Sequence, residues 1–190
     1  VPAIVKPATS TASLTELAVR RIIESGLLPA GALQLICGSV GDLFDHLTCQ
    51  DVVAFTGKAS TARKLRTHSA VIDHSVRFTA ETDSLNSCVL GPDAVPGSPE
   101  FDLFVREVAR EMTAKAGQKC TAIRKAIVPA TVAADVVDAL KAALGKVVLG
   151  NPRLEQVRMG PVASLAQRRE VLAQLAKLER EAEVVCGNGR

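Results

Sequence analysis

The sequence contains no Trp, no Tyr and only five Phe among its 190 residues. Proteins that bind single-stranded nucleic acid stack bases on such side chains, and proteins that follow a phosphate backbone carry basic stripes. Here 23 Lys and Arg are scattered among 20 Asp and Glu, which leaves a net charge of only +3. These absences argue against nucleic acid as a partner.

Long apolar runs are also missing, since charged residues interrupt each hydrophobic stretch well before the roughly 18 residues that a membrane span requires. The five cysteines are odd in number, lack Cys-x-x-Cys spacing and are accompanied by only three His. We therefore expect reduced thiols in the cytoplasm, with no disulfide framework, no metal site and no membrane partner. The chain opens on Val1 without a signal-peptide pattern, which we interpret as a cut inside a longer protein.

What the sequence does contain is an alternation of short apolar runs and amphipathic stretches. The strand-like runs fall at 3–6, 33–36, 52–55, 74–79, 88–90, 126–128 and 183–186. The helical patterns fall at 12–25, 40–46, 60–68, 100–114, 132–144 and 165–181. Such alternation is typical of parallel sheets covered by helices, so the predicted fold class is α/β, with a domain boundary near 80–86.

The stretch from Ala116 to Ala122 places Cys120 directly after a glycine turn, between the predicted helix 100–114 and a strand-like run. A thiol at such a junction lies near backbone N–H groups, which favour the thiolate and can hold a developing oxyanion. Cys120 is therefore the candidate nucleophile. The alternative interpretation is a small hydrophobic cysteine buried in the core.

Two further stretches are candidates for binding or activating ligands. Thr56-Gly57-Lys58 precedes a predicted helix, and a glycine turn at that place exposes N–H groups that bind phosphate, although a plain tight turn has the same sequence. Glu81 follows the run 74–79, at the carboxyl end of a strand, where ligands gather in α/β folds. An exposed loop carboxylate would give the same pattern.

Four segments, in this order, resemble the aldehyde dehydrogenase superfamily. Val5-Lys6-Pro7-Ala8 is similar to its Lys-Pro-Ala cofactor turn, Phe55-Thr56-Gly57 to its Phe-Thr-Gly turn, Glu81 to its general base, and Gly117-Gln118-Lys119-Cys120 to its nucleophile motif. The resemblance runs over essentially all 190 residues. It implies an aldehyde-dehydrogenase-like fold in which 1–82 is part of a Rossmann-like dinucleotide-binding domain and 83–190 is part of the catalytic, thiol-bearing domain.

Where the sequence departs from most members of the superfamily, it resembles a smaller group within it. Most members continue Leu-Gly-Gly-Lys after the base, whereas this chain has Thr82-Asp83-Ser84-Leu85-Asn86. Together with 113–124 around the nucleophile, this stretch resembles the aldehyde dehydrogenase domains of bifunctional phenylacetate-degradation enzymes (oxepin-CoA hydrolase / semialdehyde dehydrogenase). The implied substrate is a small aldehyde, namely a CoA-linked semialdehyde of phenylacetate catabolism.

The resemblance also implies the cofactor contacts, which map to Lys6, Ala8, Thr9, Thr56, Gly57 and Lys58. Lys6 would bind the adenosine ribose hydroxyls. Many NAD-using relatives carry, at the position of Thr9, a Glu that would repel a 2′-phosphate, so NADP is the expected cofactor, with NAD as the alternative. Lys58 is either an additional phosphate contact or a solvated surface lysine.

In the implied reaction the Cys120 thiolate attacks the aldehyde carbon, hydride passes to a nicotinamide, and Glu81 deprotonates the water that hydrolyses the thioester. The family places an oxyanion-hole Asn upstream of Val1 and a second carboxylate beyond Arg190, and in the bifunctional enzymes a hydratase domain follows. We therefore expect little or no activity from the 190-residue chain alone, and a homo-oligomeric parent enzyme.

Two other functions stay open at this point. A CoA-acylating aldehyde dehydrogenase releases its thioester to CoA and does not need Glu81 as a base. A catalytically idle binding or assembly module would use exposed apolar surfaces and leave Cys120 unreactive.

Overall fold

The computed structural model describes residues 1–187. Its backbone divides into two compact units, Val1–Asp83 and Ser84–Arg190. Strand pairing is parallel throughout the described residues, and helical segments separate all but one pair of consecutive strands, so the α/β fold class is confirmed. Within these residues, no helix combines the length and the apolar composition that crossing a membrane requires.

The first unit contains two parallel strand pairs, β1 with β2 and β3 with β4. Its strands and helices are β1 (Ala3–Val5), α1 (Ala12–Glu24), β2 (Leu33–Leu35), β3 (Val52–Gly57), α2 (Ala59–Arg66), α3 (Ser69–Asp73) and β4 (Arg77–Thr82), with 3₁₀ turns at Thr9–Thr11 and Leu43–His46. Small and branched side chains fill its interior; the buried ones are Ala12, Val19, Ala62, Ala70, Val71 and Val76. Because the strands in each pair are parallel, the loops that leave their carboxyl ends emerge on the same side.

The second unit contains the parallel pair β5 and β6 and three helices. Its elements are β5 (Ser87–Val89), α4 (Pro99–Thr113), β6 (Lys125–Ile127), α5 (Ala133–Gly145) and α6 (Leu165–Leu178), with a left-handed turn at Ala114–Gly117 and a 3₁₀ turn at Ala130–Val132. The core lies between α4 and α5; its buried members are Leu90, Ala94, Phe101, Phe104, Val108, Val132 and Val136.

Helix α4 begins where its sequence predicts. The Ser98 side chain accepts a hydrogen bond from the Phe101 N–H at 3.3 Å, Pro99 occupies the first turn, and Glu100 and Asp102 place negative charge near the helix N-terminus. Phe101 and Phe104 are each only 5% exposed, so one face of the helix is buried. This packing fixes the helix from which the loop carrying Cys120 departs.

Some predicted elements differ from the structure. The helix expected at 60–68 is α2, which ends at Arg66; a further helix that the pattern does not predict, α3, begins after His68, whose backbone is extended with φ −63° and ψ 138°. The helix expected at 40–46 is a 3₁₀ turn, and the last helix ends at Leu178. The strand expected at 183–186 does not form, since no described strand lies beside it to complete its hydrogen bonds.

Candidate active site

The loop that carries Cys120 leaves α4 through three consecutive left-handed residues. Lys115, Ala116 and Gly117 have φ values of 53°, 53° and 69°. Such a run is costly for residues with a Cβ atom, so the surrounding contacts must impose it. The chain reverses here and leaves Cys120 exposed. The alternative of a cysteine buried in the core is therefore wrong.

Two side chains bind the carbonyl oxygens of this loop. The Asn86 amide Nδ2 donates to the Cys120 oxygen at 2.5 Å and to the Ala122 oxygen at 3.0 Å. The Arg124 guanidinium Nη2 donates to the oxygens of Gly117 and Lys119 at 3.1 and 3.2 Å. We call these two side chains the carbonyl clamp. It holds four carbonyl groups in a stretch of six residues.

The backbone N–H groups at the thiol are available for other partners. Those of Lys119, Cys120 and Thr121 donate to no residue among 1–187. The loop thus has four bonded carbonyls and three consecutive N–H groups without a partner in the described residues, next to an exposed thiol. N–H groups of this kind can bind a thiolate or an oxyanion.

Two side-chain contacts with residues farther away in the sequence join the loop to the rest of its unit. Lys119 Nζ lies 2.7 and 2.9 Å from the two carboxylate oxygens of Glu111 on α4, and these side chains are only 22% and 13% exposed. The Gln118 Oε1 atom accepts the Ala163 N–H at 2.8 Å, just before α6. Gln118 and Lys119 therefore hold the loop against α4 and against the segment that precedes α6.

In the first unit, strand register brings two of the predicted site residues together. Thr56 lies opposite Glu81, and Gly57 opposite Thr82, at the shared carboxyl end of β3 and β4. Glu81 is exposed there. A Cβ atom at position 57 would lie 2.7 Å from Cζ of the Phe55 ring, so any larger residue at this turn would displace that ring.

A second cluster of predicted residues lies at the carboxyl end of the other strand pair. Lys6, Ala8 and Thr9 follow β1 directly and are all exposed. The Thr11 hydroxyl donates to the Ala8 oxygen at 3.4 Å and does not accept an N–H of α1. The first turn of α1 therefore has no side-chain cap.

The side chain of Asp83, a residue that follows β4, lies at the N-terminus of α2, next to the predicted phosphate turn. Its Oδ1 atom accepts the Ala59 N–H at 3.4 Å, and its φ is 43°. A phosphate at that N–H would have to displace a carboxylate. The backbone of Thr56 and Gly57 is thus a better candidate cofactor contact than the helix end. Lys58, which precedes the helix, is exposed.

Sequence patterns did not single out three of the residues that shape the site: Asn86, Glu111 and Arg124. Asn86 and the Cys120 carbonyl that it binds are 34 residues apart, so no local spacing reveals the contact. Within 1–187, no group of three or more His, Cys, Asp or Glu side chains is placed to hold a metal ion.

The sequence model of the aldehyde dehydrogenase family matches residues 2–190. The chain belongs to the aldehyde dehydrogenase family. This membership confirms the resemblance carried by the four motifs, and with the parallel architecture it assigns the aldehyde dehydrogenase fold. It leaves the role of each individual residue to be tested.

Known proteins can be aligned with nearly the whole of this chain. It is 52% identical, over 98% of its length, to a 3,4-dehydroadipyl-CoA semialdehyde dehydrogenase of Aromatoleum evansii, and covers 36% of that protein. The fold matches all of this chain to 37% of a betaine aldehyde dehydrogenase of Staphylococcus aureus, crystallised with NAD⁺ and a BME-modified cysteine, at a TM-score of 0.85 and 25% identity. It matches 96% of this chain to 18% of Proline Utilization A from Bradyrhizobium japonicum, with a TM-score of 0.81 and 26% identity. The chain therefore spans just over a third of the curated relative's length.

Proposed function

We propose that this chain is the thiol-bearing part of an enzyme that oxidises an aldehyde to a carboxylic acid with a nicotinamide cofactor. The observation that carries the proposal is the exposed Cys120 thiol beside three open N–H donors, in a chain of the aldehyde dehydrogenase family. An idle binding module gives no reason for such a loop.

In the proposed reaction, the Cys120 sulfur forms a bond to the aldehyde carbon, and the carbonyl oxygen becomes an oxyanion beside the loop N–H groups. A nicotinamide cofactor, which the segment 6–9 and the turn at Thr56 and Gly57 would hold, would supply the hydride acceptor; loss of hydride from this carbon would leave the acyl group on Cys120 as a thioester. Glu81 then takes a proton from water, the water oxygen bonds to the acyl carbon, and the carbon–sulfur bond breaks to free the thiolate.

Selective alkylation tests the nucleophile. Cys37, Cys49 and Cys186 are also exposed, so exposure alone cannot explain a preference for Cys120. We expect iodoacetamide to modify Cys120 first at neutral pH, as measured by mass spectrometry of each cysteine peptide. Equal labelling of these four thiols would contradict the proposal and favour the idle module.

The fate of the thioester is tested at Glu81. In the full-length enzyme, Glu81→Gln should abolish steady-state oxidation while the first burst of reduced cofactor persists, because the carboxamide cannot deprotonate water. Unchanged turnover would instead show that CoA releases the acyl group. The 190-residue chain, which spans just over a third of its relative, should show little or no turnover by itself.

We propose NADP as the cofactor, with Lys6, Ala8 and Thr9 contacting the adenosine ribose and its phosphate. Exposure of this segment at the carboxyl end of β1 supports the assignment. A relative that binds NAD⁺ supports the nicotinamide but not the choice between the two cofactors. In the full-length enzyme kcat/KM should be higher with NADP, and Thr9→Glu should lower it selectively; comparable values for NAD and NADP would contradict this proposal.

The proposed substrate is a CoA-linked semialdehyde. Its support is the 52% identity to a dehydrogenase whose name specifies a substrate of that class. Phenylacetate catabolism, suggested by 81–86, stays a prediction. A competition between a CoA-linked semialdehyde and the same aldehyde without CoA, scored by kcat/KM in the full-length enzyme, decides it: equal values would exclude recognition of CoA.

A further inference from the structure

We infer that Asn86 and Arg124 are positioning residues that aim the N–H groups of Cys120 and Thr121 at the oxyanion formed on the thiol. The inference rests on the proposed function, because it assigns a role within that reaction. It concerns the carbonyl clamp, whose two side chains touch neither the sulfur nor an aldehyde in the proposed mechanism.

The planar peptide unit connects the clamp to the oxyanion. A trans peptide holds the C=O of one residue and the N–H of the next in one plane, pointing in opposite directions. Arg124 binds the Lys119 oxygen at 3.2 Å, so it sets the direction of the Cys120 N–H. Asn86 binds the Cys120 oxygen at 2.5 Å, so it sets the direction of the Thr121 N–H.

Each clamp side chain bridges two carbonyls, which limits rotation of the intervening peptides. Arg124 spans Gly117 and Lys119, and Asn86 spans Cys120 and Ala122. Hydrogen bonding at a carbonyl also polarises its peptide unit, which strengthens the N–H on the other end as a donor. The clamp therefore both directs and strengthens the donors.

The clamp is built on a sheet rather than on the loop that it holds. The N–H of Arg124 donates to the Asn86 oxygen at 2.8 Å, and the next residues pair as β5 and β6. Ala122, at the far end of the loop, is only 1% exposed. Donors fixed in this way before the substrate arrives need little reorganisation when charge develops, which is where oxyanion holes gain their effect.

Two reagents separate aiming of the N–H groups from general integrity of the loop. A trifluoromethyl ketone adds to a thiolate to give a tetrahedral oxyanion, which can be followed by ¹⁹F NMR on the 190-residue chain. Iodoacetamide alkylates the same sulfur without forming an oxyanion. The ratio of ketone affinity to alkylation rate at Cys120 therefore reports on the oxyanion donors.

We expect Arg124→Met and Asn86→Ala each to weaken ketone binding at Cys120 by about tenfold or more, because one well-aimed oxyanion donor contributes about 10²–10³ in rate. The alkylation rate should fall by less than the ketone affinity, since alkylation depends on the N–H groups only through the thiolate, whereas the ketone adduct also needs them at its oxyanion. Arg124→Lys, which keeps the charge but loses the guanidinium fork, should fall between Arg124→Met and the unaltered chain. Lys125→Met, at the exposed neighbouring position, is the matched control and should leave ketone affinity and alkylation unchanged.

Each of three other outcomes would overturn one of the claims made above. A ketone adduct that Arg124→Met and Asn86→Ala leave intact overturns the clamp alone. Equal losses of ketone binding and alkylation would show that these residues act on the thiolate or on the folding of the loop and not on the oxyanion, which overturns the inference. Absence of an adduct in the unaltered chain overturns the proposed nucleophile, and the inference with it.

Discussion

Replacing Glu111 with glutamine removes one charge from the ion pair that joins α4 to the loop carrying Cys120. Lys119 Nζ lies 2.7 and 2.9 Å from the two Glu111 oxygens, and both side chains are mostly shielded from water, with exposures of 22% and 13%. The glutamine has the same shape and keeps one acceptor oxygen. The substitution therefore tests the charge more than the packing.

The expected loss lies between the limits for exposed and buried pairs. Exposed ion pairs contribute roughly 0.2–1 kcal/mol, whereas breaking a buried pair costs about 3–5 kcal/mol. Because these two side chains are partly shielded, we expect Glu111→Gln to lower the free energy of unfolding of this unit by about 1.5 kcal/mol, the order of one charged hydrogen bond. Arg110 also lies 3.5 Å from a Glu111 oxygen. It keeps its Glu107 partner, 2.6 Å away, so its weakened contact with position 111 adds little to the loss.

Hydrogen exchange measured by mass spectrometry suits this protein, because it has no Trp or Tyr to report unfolding by fluorescence. Peptides spanning 114–122 should exchange faster in Glu111→Gln and in Lys119→Gln, and the double variant should be little worse than either single one. A coupling energy of about 1 kcal/mol is expected from this cycle. A coupling below about 0.3 kcal/mol would refute the reasoning and class the pair with exposed ones.

Three further predictions concern local structure and pH. Ser98→Ala removes the α4 cap and should cost about 1 kcal/mol in urea unfolding followed by circular dichroism; no change would show that Pro99 alone starts the helix. Gly117→Ala forces a side chain onto φ +69°, so it should speed exchange of 114–122 by about the factor of ten that 1–2 kcal/mol implies, whereas Gly145→Ala, with open space around it, should not. Hydrogen bonds from the Thr48 N–H and hydroxyl lower the pKa of Asp51. The stability that Asp51 contributes is therefore fully present above the pKa of the unfolded state and is lost as the pH falls through the lower pKa of the folded state. Asp51→Asn should abolish this loss of stability in an acid titration.

Comparison of sequence and structure shows which features are local. The helix α4 was predictable, because its cap, first-turn charges and apolar spacing all lie within one stretch of chain. The short helix α3 was not, since the periodicity of 60–68 does not show that the chain becomes extended at His68 and then starts a second helix. The absence of a strand at 183–186 has the same origin, because a strand forms only beside a partner.

Consecutive residues alone determined the family, the α/β class and the candidate groups Cys120 and Glu81, because motifs and apolar periodicity are written along the chain. Tertiary structure decided that Thr56 lies opposite Glu81, and that Asn86 binds the Cys120 carbonyl 34 residues away. The physical reason is that strand register and side-chain hydrogen bonds join distant positions, which no spacing of neighbours encodes. The thiol is thus evident from the sequence, whereas the clamp that holds its loop exists only in the folded chain.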